Sequence, residues 1–432
     1  MKDVFRREIM RGVSLTCVRE YKFKTGCLSM TLLTQLDRRT AAMNAALPSV
    51  LRRGTARFPD MESLAAQLDG LYGARIEPFV RKLGEVQCIG FYSDFPDDSF
   101  VPGGGQILEK TADLMGEMLL SPATSGGRLR AEYVDGEREN LIDDIRAEIN
   151  DKRIYSVRRM TELMCRGEAY GVSRMGSVAD AEKISVATLT KHYRETVASS
   201  EIEVFYCGAA DYARVEQAVR AALASLPRAD AAGGPPVTDV KTEVRGAKPR
   251  VFTESLDVTQ GKLAVGFRMG EPMMRPNYAA MLVFDALYGG SATSKLFLNV
   301  REKLSLCYFA SSVVDRHKGV MIVSSGIDFA KYDQALSEIL AQLDAVKRGD
   351  FEDWELDAAR RAVVTAIYAA MDDQAGLESL YLDRVVSGME ATPEELAGLA
   401  DGITREDVIR VARGIAEDTV YFLKGEDGKV GA

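Results

Sequence analysis

The chain is poor in the side chains that most often do chemistry near neutral pH. Among 432 residues there are two histidines, one tryptophan and six cysteines. His192 and His317 lie in different halves, so no histidine pair at i and i+4 exists to hold a metal ion. Each reads as an ordinary helix or surface residue. The cysteines (Cys17, Cys27, Cys88, Cys165, Cys207, Cys307) never take Cys-x-x-Cys spacing, which argues against a zinc ribbon or a local redox motif. They read instead as reduced thiols that pack as small hydrophobes. No Gly-x-Ser-x-Gly elbow is present, and a serine or cysteine nucleophile would have to recruit one of the two distant histidines. The paired acids Asp97-Asp98, Asp143-Asp144 and Asp372-Asp373 are ordinary on an acidic surface and carry no glycosidase signal of their own.

Long apolar runs are missing too. The longest, around Ala279 to Leu287, contains Asp285 and falls far short of the roughly 20 residues of a membrane span. At the start, Met1 to Glu8 is broken by charges, so it lacks the apolar core of a secretory signal, and export is not expected. No Lys/Arg-rich tract interrupts the surface and the net charge is -9, which argues against a nucleic-acid partner. With reduced thiols, these features lead to the expectation of a cytoplasmic protein without nucleic-acid or membrane partners.

What the chain does have is 46% apolar and 28% charged residues, the balance of a globular protein long enough for two cored domains. The stretch from Arg228 to Arg250 has neither hydrophobic period and contains Gly233-Gly234-Pro235-Pro236, which marks a linker at 229–249 between domains 1–228 and 250–432. On either side the same order of elements recurs. Alternating runs open both halves: 12–18 and 21–33 in the first, 251–259 and 262–267 in the second. The second pair is expected to form a hairpin turning at Gln260-Gly261. Apolar helices follow at 43–51 and 278–287, each ending near glycine, and then amphipathic ones at 61–71 and 293–304. The segments 105–120 and 332–346 correspond, as do long helices at 137–149 and 354–371. Each half closes with a helix, a strand and a glycine, at 184–208 and 403–425.

Strand pairs and helix pairs in this order predict an α+β fold of two homologous domains, each a mainly antiparallel sheet with helices packed on one face. A doubly wound parallel sheet fits less well. It would need strands alternating with single helices, and Gly103-Gly104-Gly105 precedes a helix without following a strand.

Leu47-Pro48-Ser49-Val50-Leu51-Arg52-Arg53-Gly54-Thr55 resembles the segment of the M16 (insulinase) metallopeptidases in which His-x-x-Glu-His is followed by a short link and Gly-Thr. Under that resemblance the two zinc-binding histidines fall on Ala45 and Ser49 and the catalytic glutamate on Pro48. The helix Glu137 to Ile145 resembles the family's acidic helix, with Asp144 at the third ligand position and Glu137 seven residues before it. Zinc hydrolysis needs imidazole and carboxylate donors, an open position for water, and a general base. Ala45 offers no donor atom, Ser49 is a poor neutral ligand, and Pro48 cannot act as base. No catalytic residue and no metal are therefore expected on this chain.

In the second half, Ser294-Lys295-Leu296-Phe297, Arg301-Glu302 and Leu306-Cys307-Tyr308 resemble the family's C-terminal segment, with Lys295 in place of an Arg and Ser305 in place of a Gly. The resemblance implies that Arg301 and Tyr308 contact substrate. A guanidinium and a phenol can together donate hydrogen bonds to a peptide carbonyl and to the oxyanion that develops on it. It also implies a heterodimer. This chain would bind and orient a peptide or small unfolded protein, while a partner subunit carrying His-x-x-Glu-His supplies the zinc. A non-enzymatic peptide-binding or assembly scaffold on the same fold is the alternative.

Overall fold

The computed structural model describes residues 3–229, 236, 238–270 and 277–426. The linker's Gly233-Gly234-Pro235 lies outside them. The first half runs β1 (Asp3–Met10), β2 (Val13–Arg19), β3 (Thr25–Gln35), α1 (Ala41–Leu51), α2 (Met61–Gly70), β4 (Arg75–Leu83), β5 (Val86–Pro96) and α3 (Ile107–Leu120). A two-residue ribbon follows, β6 (Thr124–Ser125) with β7 (Arg128–Leu129), then α4 (Ala131–Ala147), α5 (Lys152–Met164), α6 (Val178–Ala181), α7 (Val186–Ser199), β8 (Glu201–Gly208) and α8 (Tyr212–Ala222). The second half runs β9 (Arg250–Leu256), β10 (Gly261–Arg268), α9 (Tyr278–Asp285), β11 (Cys307–Asp315), β12 (Val320–Ile327), α10 (Tyr332–Arg348), α11 (Asp353–Met371), α12 (Gln374–Ser387), α13 (Pro393–Asp401), α14 (Arg405–Gly414) and β13 (Ala416–Gly425). Helix starts are chemically marked: Asp60, Ser185, Thr392 and Thr404 each cap a helix and close a capping box with the residue three further on.

Contacts divide the chain into two compact units. Unit 1 comprises 1–146, 172–238 and 373–386, and unit 2 comprises 147–171, 239–372 and 387–432. The division is not a single cut in the sequence, because each half gives one helical segment to the other unit.

In unit 1 the strand order is β1-β2-β8-β3-β5-β4, and in unit 2 it is β11-β12-β10-β13-β9. Read in opposite directions the two orders coincide, apart from the extra edge strand β1. The only parallel neighbours among these strands also coincide, β2 with β8 and β9 with β13. The duplication is therefore topological. The expected β9–β10 hairpin does not form, because β13 lies between the two strands and hydrogen-bonds to both. In both units the last strand is inserted between two strands that are consecutive in sequence, β8 between β2 and β3 and β13 between β9 and β10, a long-range pairing that no local turn signal could reveal.

Side chains of a strand alternate between the two faces of its sheet. On β3, Leu28, Met30 and Leu32 join the main core of unit 1 with Leu47 and Val50 of α1, Leu108 and Met115 of α3, and Leu189 of α7. Cys27, Ser29, Thr31 and Leu33 point the other way, beneath α12. There Ser29 Oγ donates to Glu378 Oε1 at 3.2 Å, and Leu33, Val86 and Cys88 pack against Leu382. In unit 2, Ala264 of β10 packs with Met160 and Met164 of α5 and with Tyr421 and Leu423 of β13, while Leu263, Val265 and Phe267 are buried on the opposite face. A side chain at Gly266 would place its Cβ 2.5 Å from the Met164 sulfur, so glycine lets α5 settle onto the sheet. Helices thus cover one face of each sheet, and a single helix from the other half of the sequence covers the opposite face.

The segment that follows α5 is also held by charge. Glu168 accepts from Arg268 Nη2 at 2.7 Å and from Lys318 Nζ at 2.7 Å, with all three side chains at most 1% exposed. Arg268 Nε reaches Asp418 at 3.2 Å, and Arg245 and Arg250 complete the cluster from its rim. Burial alone would raise the Glu168 carboxyl, but Arg268 and Lys318 prevail and hold it at about 2. Glu168→Gln removes the carboxylate that Arg268 and Lys318 share in the buried cluster and is expected to cost ~3–5 kcal/mol in a denaturant titration. The wild-type contribution is present above the ordinary carboxylate range and is lost only as pH falls toward about 2.

Glu203 behaves in the opposite sense. It sits on the α12 face of β8, and burial pushes its carboxyl up to about 8 although Arg6 Nη2 lies at 2.6 Å. A carboxyl raised in the fold favours the folded state at low pH and loses that contribution as pH climbs through its folded value. Thermal melts of wild type against Glu203→Gln should therefore converge near pH 4.5 and separate toward pH 8, the variant becoming the more stable at the alkaline end.

Candidate functional site

The first site is built by α1 and α4 of unit 1. Ala45 and Ser49 are one turn apart on α1, so they share a face. Glu137, Asn140, Leu141 and Asp144 form the facing stripe of α4. With Ala46, Val80 of β4, Arg174 and Met175, they line a cavity of about 200 Å³. The structure thus brings Ala45, Ser49, Glu137 and Asp144 to one place. Pro48 is buried within α1 and does not line the cavity. The helix continues through it, with Arg52 N–H donating to the Pro48 carbonyl at 3.0 Å.

The donor set does not fit zinc. Ala45 contributes a methyl group, Ser49 a hydroxyl, and Asp144 is solvent-exposed. Glu137 is ion-paired with Arg53 Nε, and Asn140 Nδ2 donates to its other oxygen at 3.3 Å. A guanidinium already satisfies the one carboxylate that is well sheltered. Among the described residues there is no group of three or more His, Cys, Asp or Glu side chains able to hold a metal ion. His192 is half-buried on α7, with Nε2 2.7 Å from Asn44 Oδ1 and 3.3 Å from Thr196 Oγ1. Burial lowers its pKa. Asn44 in turn donates to Gln87 Oε1 at 2.9 Å, which makes this histidine part of a structural network behind α1. His317, beside the β11–β12 turn, is pushed down to about 4 by burial and by Arg316.

The second site belongs to unit 2. Arg301, Glu302, Ser305, Leu306, Cys307, Tyr308, Asp328 and Lys331 line a cavity of about 410 Å³. Arg301 lies in a π-helical turn, Leu296–Lys303, where expectation placed a regular helix over 293–304. Its guanidinium stacks over Phe297 with 4.6 Å to the ring centroid, and its Nε lies 3.4 Å from Glu302. Tyr308 is in strand β11, not on the preceding helix. Cys307 pairs with Ile327 and Phe309 with Gly326, so Tyr308 is the extra residue of a bulge, and it is 64% exposed. Bulges re-aim side chains in this way beside binding sites.

The two departures from the family pattern have visible consequences. Ser305 adopts φ +48°, the left-handed region that glycine occupies without strain. Lys331 Nζ donates to its carbonyl at 2.9 Å, so the loop keeps a glycine-like path in spite of the substitution. Lys295 forms an ion pair with Glu355 at 2.9 Å, with 11% and 8% of the two side chains exposed. It faces inward as a structural cation and does not line the Arg301 cavity.

Arg53, Arg174, Asp328 and Lys331 escaped the sequence reading. Arg53 could have been suspected from its place beside the quoted motif. Its pairing with Glu137 spans 84 residues, which no local spacing encodes.

The description "Peptidase M16 inactive domain" matches residues 183–363. Over 417 residues the chain is 31% identical to the probable inactive metalloprotease YmfF of Bacillus subtilis strain 168, covering 96% of this chain and 97% of that protein. The fold is similar to that of a conserved protein from Enterococcus faecalis V583, with a TM-score of 0.88, 25% identity and complete coverage of both chains. It is also similar to a peptidase M16 inactive domain from Pseudomonas fluorescens, with a TM-score of 0.78, 13% identity and 98% coverage of each; that second likeness speaks to the fold alone. By its 31% identity to YmfF over nearly its full length, the chain belongs to the M16 peptidase family as one of its inactive members.

Proposed function

We propose that this chain is the non-catalytic subunit of a heterodimeric M16-type zinc peptidase, acting in the cytoplasm. It binds and orients a peptide, or a small unfolded protein, for a partner that carries His-x-x-Glu-His. The observation that carries this reading is a contrast between two cavities. The α1–α4 cavity has lost its metal donors, whereas Arg301 and Tyr308 line one open cavity in unit 2. A guanidinium and a phenol in such a cavity can hold a peptide carbonyl, and donors fixed in place beforehand are worth more than donors that must reorganise. Zinc belongs to the partner in this reading, and no step on this chain uses it. That among the described residues no helix is long and apolar enough to cross a membrane is compatible with such a role.

Co-expression with an M16 relative bearing the intact zinc motif, followed by size exclusion and peptide cleavage, tests the proposal. The pair is expected to cleave and each chain alone to fail. Arg301→Ala combined with Tyr308→Phe should lower kcat/KM of the pair by about 100-fold without preventing assembly. Equal cleavage by the variant pair would favour the assembly scaffold instead.

Ser305→Gly supplies a separate check on the loop that carries Tyr308. Relieving a left-handed non-glycine residue should stabilise the fold by ~1 kcal/mol, less the added freedom of glycine in the unfolded chain. The melting temperature should rise slightly and cleavage by the pair should persist.

A further inference from the structure

Beneath α12 the sheet of unit 1 carries two thiols that face one another. Cys27 of β3 and Cys207 of β8 are direct partners across antiparallel strands, and both side chains are fully buried. Alternation puts them on the same face. Ser29, two residues beyond Cys27, bonds Glu378 of α12, and Phe205, two residues before Cys207, meets the Tyr381 ring with centroids 5.7 Å apart. Paired residues of an antiparallel ladder have Cα atoms about 4.5 or 5.5 Å apart, and a disulfide accepts separations of about 4.4–6.8 Å. Either Cα spacing falls in that range, and since opposite Cβ atoms lie about 4.5–5.5 Å apart against about 3.5–4.5 Å in a disulfide, the strands need to draw together by up to about 1–2 Å. Other thiols of the unit are placed differently: Cys17 faces the main core, and Cys88 pairs with Leu33 further along β3.

α12 shields the two thiols. Gln374, its first residue, donates to the carbonyls of Thr25 at 2.8 Å and Cys207 at 2.9 Å, and so bridges both strands. Further along, α12 packs Leu382 on Leu33, Val86 and Cys88, but the polar part of the interface beside the two strands is incompletely matched. The buried hydroxyls of Thr16 and Thr31 have no hydrogen-bond partner among the described residues, and with Glu203 and Glu378 they line a cavity of about 10 Å³, at the lower limit for holding a single water. α5 on unit 2 also rests on an apolar cluster and is held in addition by the Glu168 ion cluster that follows it. A poorly satisfied contact opens at a lower free energy than the sheet it covers. Burial also raises the Cys27 thiol well above its ordinary value, so reaction waits for that opening.

We propose that Cys27 and Cys207 are a redox-modification site that closes into a cross-strand disulfide when α12 lifts from the sheet. With a disulfide oxidant such as oxidised glutathione, one thiolate attacks the oxidant's S–S bond and releases one glutathione thiolate. The second thiolate then attacks the mixed disulfide and expels the glutathione that remained bound. Two thiols lose two electrons and two protons, and one glutathione disulfide becomes two thiols.

The test treats the folded full-length chain with oxidised glutathione, blocks residual thiols by alkylation, and identifies linked peptides by mass spectrometry after proteolysis. A reducible Cys27–Cys207 link is expected, lost in Cys27→Ser and in Cys207→Ser and retained in Cys17→Ser. Gln374→Ala removes three hydrogen bonds between α12 and the sheet and should speed the reaction roughly tenfold, with circular dichroism confirming that the fold is intact. Three results would each overturn the proposal: stable single glutathione adducts without the link, no link in wild type or in folded Gln374→Ala, or equal rates in both.

Discussion

A pleated sheet has two faces, and a sheet whose both sides carry apolar residues must be covered on both. Each half of this sequence provides enough helices after its hairpins to cover one face. The other face of each sheet is covered by a helix taken from the opposite half: α12 lies on β3, β5 and β8 of unit 1, and α5 lies on β10 and β13 of unit 2. The exchange is reciprocal, so neither half of the sequence owns a complete core. This requirement explains why the compact units interleave along the chain and why strongly charged residues are buried in the segment beyond α5. A segment that must recross the molecule gains from specific, directional contacts. The Glu168 cluster supplies these, since a buried charge tolerates only a narrow set of partners.

Much of the fold was legible because it is written in local patterns. The helices at 41–51, 61–70, 107–120 and 353–371 fall where apolar periodicity and capping residues put them, and the recurring order of elements is real, down to the position of the parallel strand pair. What escaped depends on pairing over long distances. β1 looked like a charged terminus because, as an edge strand, it needs only one side of its backbone paired and can expose Arg6, Arg7 and Glu8. The β9–β10 hairpin looked plausible because the two runs are adjacent in sequence, yet β13 separates them. The helices α5 and α12 lacked a strong signal because their burial is shared between apolar and ionic contacts. Glu378, for instance, occupies a core position only through Arg81 and Ser29.

The candidate sites were legible in a different way. The α1 positions came from the register of a motif, and Ala45, Ser49, Glu137 and Asp144 line one cavity. Arg53 is the part that sequence could not supply. By pairing with Glu137 it provides the positive charge that a carboxylate sheltered in such a cavity requires.

The two cavities differ because of how their functions depend on individual atoms. A hydrolytic metal centre needs every donor, an open coordination position and a base at once, and the lining of the α1–α4 cavity offers no such set among the described residues. A surface that holds a peptide carbonyl depends on a few donors set in a loop, and the loop can absorb change. Ser305 takes the backbone conformation of a glycine with Lys331 bracing its carbonyl, and Lys295 is absorbed by Glu355. Tyr308 owes its exposure to a one-residue bulge in β11, a backbone feature that survives substitution of its neighbours as long as Cys307 and Phe309 keep their partners on β12. A loop braced in this way accepts substitution at Ser305 and Lys295 while Arg301 and Tyr308 still line one cavity.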